Sequence, residues 1–143
     1  MAFTGNYVCN SFISGVFDGD FDFGTGTADV FKLALYTNEA TLTAETAVYT
    51  TSGEVSASGY TAGGVVLTPT KGIGDTSTSG GTSFVTFSNV SVSAALTARG
   101  ALIYKDGGPA ICVLDFGSDK TSTTAFLITF PGANSTQALI RLT

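Results

Sequence analysis

Short apolar segments with a period of two recur along the chain, and clusters of Gly, Ser, Thr and Asp separate them. The clearest is VFKLALYT (residues 30–37), in which Phe31, Leu33 and Leu35 share one face of a predicted strand. Residues 126–130 alternate in the same way. Roughly seven or eight such strands predict one all-β domain over residues 1–143, a β-sandwich for which the jelly roll is a candidate type.

The composition agrees with a β-rich chain that has a weakly charged surface. Charged residues make up 12% of the sequence, against about 25% in an average soluble domain. Their place is taken by 23 Thr and 14 Ser, beside 18 Gly. Thr suits a pleated surface and Gly suits turns. Such a surface is typical of a protein packed against neighbours, although an uncharged secreted domain has the same composition.

One helix is predicted before the first strand. Apolar residues recur at a spacing of four over residues 7–17, with Asn6 as the expected N-cap and Gly19 just beyond the end. The chain therefore divides into a helix with an acidic linker (residues 1–29) and the sandwich (residues 30–143). The apolar face either closes the sheet or docks on a neighbouring subunit, so its candidate interface residues are Phe12, Ile13, Val16 and Phe17.

The linker FDGDFDFGTGTAD has acids at the EF-hand spacing: Asp18, Asp20, Asp22 and Asp29 occupy positions 1, 3, 5 and 12 of a twelve-residue loop. Position 6 is Phe23 rather than Gly, and a strand follows instead of a second helix. We therefore predict no metal or other cofactor, and keep these four acids as candidate ligands of a different cation site. The competing interpretation turns Phe17, Phe21 and Phe23 inward and the acids outward.

Several function classes are disfavoured by composition. The net charge is −5 and the six basic residues are scattered, which argues against nucleic-acid binding. The chain has no His, which removes imidazole-based catalysis. Cys9 and Cys112 are predicted to be two unpaired buried thiols. A paired-carboxylate glycosidase is the enzyme class left open, but the absence of Trp disfavours a sugar cleft, so we predict a non-enzymatic protein.

Targeting signals also limit the function. MAFTGNYVCN lacks a basic region followed by an apolar run, and no apolar stretch is long enough to cross a bilayer. We expect a soluble product that is made in the cytoplasm and does not bind membranes.

Six segments span nearly the whole chain: VCNSF, DVFKLALYTNEATL, TAVYTTSGEVSASGYTAGGVVLT, TARGALIYKDG, ICVLDFGSDKTST and FLITFP. In content and in order they resemble a family of small virion structural proteins of tailed bacteriophages. The run from Tyr49 to Leu67 is the most specific. The resemblance implies a capsid decoration or cement protein in the virion, a homo-oligomer that binds the major capsid protein. The acidic stretch falls where the family varies, so the resemblance does not support a metal site.

Tyr49 and Tyr60 are further candidate interface residues, because Tyr is enriched in protein interfaces, although Tyr60 could equally complete a turn. Two alternative functions stay open: a neck or tail component of the virion, and a small calcium-assisted carbohydrate- or receptor-binding module.

Overall fold

The computed structural model describes residues 3–24, 26, 29–77 and 80–143, and within them it has one helix and ten strands. The elements in chain order are β1 (Tyr7–Val8), α1 (Asn10–Asp18), β2 (Phe31–Tyr36), β3 (Val65–Leu67), β4 (Pro69–Ser77), β5 (Gly80–Phe87), β6 (Val90–Val92), β7 (Thr97–Lys105), β8 (Ala110–Thr121), β9 (Phe126–Ile128) and β10 (Ile140–Leu142). The predicted all-β fold with one short N-terminal helix is confirmed.

The strands form three antiparallel sheets with a sandwich-like arrangement. The largest has the order β1-β8-β7-β2-β3, the second has the order β10-β5-β4, and β6 pairs with β9. The sequence predicts a hairpin with strands near 99–104 and 110–116; β7 and β8 form it, and both strands are longer than predicted. Pro69, which cannot donate to a ladder, is the first residue of the edge strand β4. The jelly-roll type stays a prediction.

The central strand β2 is buried on both faces, whereas the sequence pattern predicted only one apolar face. Phe31, Leu33 and Leu35 enter the larger core, which lies between the five-stranded sheet, the other two sheets and α1. Ala34 and Tyr36 enter a second core on the opposite face. That core is covered by the N-terminal segment and by the long loop after β2, through Phe3, Ala40 and Leu42 among others.

Helix α1 begins later than predicted. Residues 7–8 are extended and pair with Cys112 and Val113 of β8, and the Cys9 amide donates to the Ile111 carbonyl at 2.8 Å. Cys9 is therefore the N-cap. The side chain of Asn6 accepts a hydrogen bond from the Asp115 amide at 2.7 Å instead of capping the helix. The C-terminal end of α1, just before Gly19, is as predicted.

Gly19 terminates the helix in the left-handed region, with φ of 77°. Its amide donates to the Val16 carbonyl, and the amide of Asp20 donates to the Gly15 carbonyl at 2.9 Å.

The cluster of turn-forming residues KGIGDTSTSGG, from Lys71 to Gly81, predicts a turn-rich loop, and this prediction is wrong. Most of it belongs to the hairpin of β4 and β5, while residues 78–79 lie outside the described part. Cross-strand packing explains the strand at Gly72, because a Cβ built there would lie 2.8 Å from Cζ of Phe84 on the paired strand. The partner strand thus supplies the side chain that the glycine lacks.

Candidate interaction surface

The acidic linker is held by one lysine. Asp29 accepts a hydrogen bond from the Asp22 amide at 2.8 Å and forms an ion pair with Nζ of Lys105 at 3.0 Å. Lys105 also donates to the carbonyl of Asp20 at 2.6 Å. The Asp22 amide, and after it Lys105, lowers the pKa of the Asp29 carboxyl below its usual range. The ion pair ties the linker to the end of β7.

The four candidate ligands do not come together as an EF-hand ladder. Asp18 is exposed at the end of α1, while Asp22 accepts a hydrogen bond from the Gly24 amide at 2.9 Å. Residues 25, 27 and 28 of the linker lie outside the described part. Among the described residues, no group of three or more His, Cys, Asp or Glu side chains is placed to hold a metal ion.

The aromatic residues of the linker are divided between the core and the surface. Phe21 packs on Phe12 with ring centroids 5.0 Å apart, and Phe23 stacks on Phe31 at 4.5 Å. Both therefore turn inward, as predicted. Phe17 was also predicted to turn inward, and this was wrong, because it is still helical and 91% exposed.

The apolar residues of α1 are divided in the same way. Phe12 is buried in the larger core. Ile13 is 52% exposed and Val16 is 38% exposed, and Phe17 lies beside them on the surface. The interpretation that the helix face closes the sheet is thus correct for Phe12, whereas docking on a neighbouring subunit stays a prediction. Phe12 completes the core, whereas the other three remain available for an interaction.

An open apolar cleft of about 380 Å³ lies between α1 and the second sheet. Its lining comes from α1, the linker and the strands β4, β5 and β10: Phe12, Val16, Phe21, Phe23, Lys71, Gly72, Ile73, Ser83, Phe84, Val85, Ile140 and Leu142. Val85 and Ile140 are buried, whereas Ile73 and Leu142 are 66% and 53% exposed. The sheet therefore extends past the core, and its apolar face there is uncovered.

The exposed pair lies in one row across the sheet. Ile73 and Leu142 are both paired with Ser83 of the central strand, two residues before buried Val85. Since side chains two residues apart share a face, the row continues the core layer beyond the helix. The cleft is an unfilled extension of the larger core. Sequence reasoning missed it, because Ile73 lay in the segment that was predicted to be a loop.

The tyrosines that were predicted as interface residues meet at Glu54. Tyr49 and Tyr60 donate to its two carboxylate oxygens at 2.6 and 2.8 Å, and the Gly63 amide donates to one of them at 2.8 Å. Tyr104 stacks on Tyr49 and donates to the Gly63 carbonyl. Both candidate hydroxyls are thus engaged within the chain. We call Glu54 and these three tyrosines the Glu54 cluster.

The Glu54 cluster extends the edge of the main sheet. Strand β3 pairs with β2 only from Phe31 to Leu33. Beyond it, the Leu35 amide donates to the Tyr60 hydroxyl at 2.9 Å, and the Val55 amide donates to the Leu35 carbonyl. Tyr60 therefore replaces a missing backbone partner. Sequence reasoning did not identify Glu54, whose partners converge only in the folded chain.

Burial in the Glu54 cluster also changes the acidity of its phenols. It raises the pKa of Tyr49 and of Tyr104 to about 12, assisted by Glu54 in the first case and by Asp106 in the second. Burial raises the pKa of Tyr60 further above its ordinary value. These hydroxyls are protonated donors near neutral pH.

The two cysteines are free, buried thiols, as predicted. Cys9 belongs to the second core and Cys112 to the larger one. Burial raises the pKa of the Cys9 thiol to about 11 and also raises that of Cys112. Raised pKa values disfavour the thiolate that a nucleophile or metal ligand requires.

Comparisons of the chain with protein-family models, curated proteins and solved structures give no match. Within the described residues, none of the helical structure has the length and apolar character needed to cross a bilayer.

Proposed function

We propose that this chain is a non-enzymatic structural protein of a tailed-bacteriophage virion, most specifically a decoration or cement protein of the head. The observation that carries the proposal is the uncovered apolar surface of α1 and the adjoining cleft. A side chain such as Phe17, 91% exposed beside a cleft that continues the core, is typical of a surface that another chain covers. The resemblance to phage virion proteins supports the same conclusion from the sequence.

Edge strands offer a second kind of contact, suited to the major capsid protein. Strand β4 is at the edge of its sheet, and β9 belongs to a two-stranded sheet. Leu127 in the middle of β9 is 70% exposed. An edge strand presents backbone donors and acceptors to which a neighbouring chain can add a strand. A cement protein would use such edges to join adjacent capsid subunits while it binds copies of itself.

The most specific part of the resemblance, the run from Tyr49 to Leu67, contains Glu54 and two of the tyrosines of its cluster. This run supports the fold of the domain by completing the edge of β2, which leaves the α1 surface and the sheet edges for contacts with the shell. A calcium-assisted binding module gains no comparable support, because Asp29 is paired with Lys105.

The test is the copy number of this protein in purified virions, measured by quantitative mass spectrometry against the major capsid protein. Decoration predicts one copy per capsid subunit or a simple fraction of it, hence hundreds per particle. About a dozen copies would instead assign the protein to the neck or tail, as expected for a ring. Absence from the particle would refute the structural role. Glycan binding that a chelator abolishes would then favour the binding module.

A further inference from the structure

We propose that the chain self-associates by inserting Phe17 of one copy into the cleft between α1 and the second sheet of another copy. The proposal goes beyond the virion role and does not depend on it, because it concerns only contacts between copies of this chain. Its occupant is defined: the C-terminal end of α1, with Phe17 as the apolar anchor and Asp18 beside it.

The first argument is the match between anchor and cleft. Phe17 exposes nearly its whole side chain, while the cleft of about 380 Å³ is lined by apolar side chains and lies within the size range of small ligand sites. Aromatic rings are enriched among the anchors of protein interfaces, where they fill desolvated pockets on the partner. Burying Phe17 there would also cover Ile73 and Leu142, which the chain itself leaves exposed.

The second argument is charge complementarity. Among the described residues that line the cleft, Lys71 is the one charged residue, and it is exposed. Asp18 follows Phe17 directly and is exposed as well. Within the described residues neither side chain forms an ion pair. An inserted Phe17 would bring Asp18 to the rim of the cleft, where Lys71 offers the opposite charge.

The position of Asp18 strengthens this argument. It is the last residue of α1, where the partial negative charge of the helix end disfavours a carboxylate. The last turn of α1 contains no basic residue. The acid therefore does not stabilise its own helix, whereas the ammonium of a second copy would compensate both the carboxylate and the helix end.

The anchor and the cleft share one element, which favours a closed assembly. Val16 lines the cleft while its neighbour Phe17 extends away from the surface. A two-fold contact can then use both features of both copies at once, which gives two insertions and two Asp18–Lys71 pairs. The expected species is a dimer, of twice 14.5 kDa.

The test is sedimentation equilibrium of the full chain over a range of concentrations. We expect the wild type to associate and Phe17→Ser to raise the dissociation constant at least about tenfold, since both buried aromatic anchors of the dimer are lost. The matched control is Val48→Ser, which removes a 59% exposed apolar side chain from the loop after β2 and should leave association unchanged. Far-UV circular dichroism checks that each variant is folded, which the exposure of both residues predicts.

Charge reversal distinguishes this contact from nonspecific hydrophobic association. Asp18→Lys and Lys71→Asp should each weaken association, and the double variant should restore it by exchanging the two charges. A wild type that is monomeric at the highest concentration, a Phe17→Ser variant that associates like the wild type, or a double variant without restoration would each overturn the proposal. If the wild type is monomeric but still binds capsids, the virion role stands and the cleft is assigned to a contact with the shell.

Discussion

Tyr60→Phe isolates one hydroxyl that completes the main sheet. In the wild type this hydroxyl accepts a hydrogen bond from the Leu35 amide at 2.9 Å and donates one to Glu54 at 2.8 Å. Leu35 is fully buried, so the variant leaves its amide without a partner and without access to water. The ring and its packing stay in place. The measured cost therefore belongs to the two hydrogen bonds.

The expected cost follows from their environment. A buried amide without a partner costs about 1–3 kcal/mol, and a lost hydrogen bond to a charged group costs about 1.5–3 kcal/mol. Because Glu54 keeps its bonds from Tyr49 and Gly63, we take the lower half of the combined range. Tyr60→Phe should then lower the free energy of unfolding by about 2.5–4 kcal/mol, a large fraction of the roughly 5–15 kcal/mol of a typical domain.

Tyr49→Phe is the matched control. It removes one hydrogen bond to the same carboxylate, at 2.6 Å, while the Gly63 amide keeps its own bond to Glu54. Its carboxylate partner can be hydrated, because Tyr49 is only half-buried. We expect a cost of about 1–1.5 kcal/mol, so that the two variants differ by about 2 kcal/mol.

Urea unfolding measures both costs, with an unchanged dependence on denaturant as the sign that the unfolded states are comparable. Hydrogen exchange adds a local probe, since the Leu35 amide should lose protection in Tyr60→Phe but keep it in Tyr49→Phe. Equal costs for the two variants, or a protected Leu35 amide in Tyr60→Phe, would refute the assignment of Tyr60 as a backbone substitute.

Three further predictions concern the backbone, the phenols and the thiols. Gly64→Ala should unfold the domain or destabilise it severely, because φ is 82° there and the new Cβ would clash with a backbone carbonyl of β2. The control is Gly107→Ala, where φ is 73° and no atom lies near the new Cβ. This control should lower the free energy of unfolding, measured in urea, by about 1 kcal/mol. The raised phenol pKa values of Tyr49 and Tyr104 stabilise the folded chain fully below about pH 10, and this stabilisation should be lost as the pH rises toward 12. The tyrosinate absorbance of these two residues should appear only as the fold is lost. Ionisation of either phenol before unfolding would contradict this prediction. Cys9 should react with a thiol reagent only after unfolding, and rapid labelling of the folded protein would show that it is not buried.

The strands that the sequence predicted are those whose apolar residues alternate locally. Phe126, Ile128 and Phe130 are all buried while Leu127 between them is exposed, so a period of two was sufficient. For strand β2, a period of two predicted only one of the two buried faces. Its second buried face depends on a loop that folds back over Tyr36, which is a tertiary contact that periodicity does not contain.

The β4–β5 hairpin shows the opposite limitation. Its Gly, Ser and Thr residues are typical of turns, and local propensity accordingly predicted a loop. Pairing with a neighbouring strand prevailed, because Phe84 covers Gly72 and the inner face supplies Val85 to the core. The same error concealed the cleft, since Ile73 and its apolar row exist only if this segment is a strand.

Helix α1 contained a signal that sequence reasoning could have used further. Phe12 with Val16 and Ile13 with Phe17 are two pairs at a spacing of four, and at 100° per residue their stripes are about 100° apart around the helix. A helix that packs on one layer needs only one such stripe. The first stripe contacts the core or the cleft, whereas the second is exposed and ends at Asp18. A second apolar stripe that the chain does not cover fits the proposed contact with a second copy, and for this reason Phe17 rather than Phe12 is the residue to substitute.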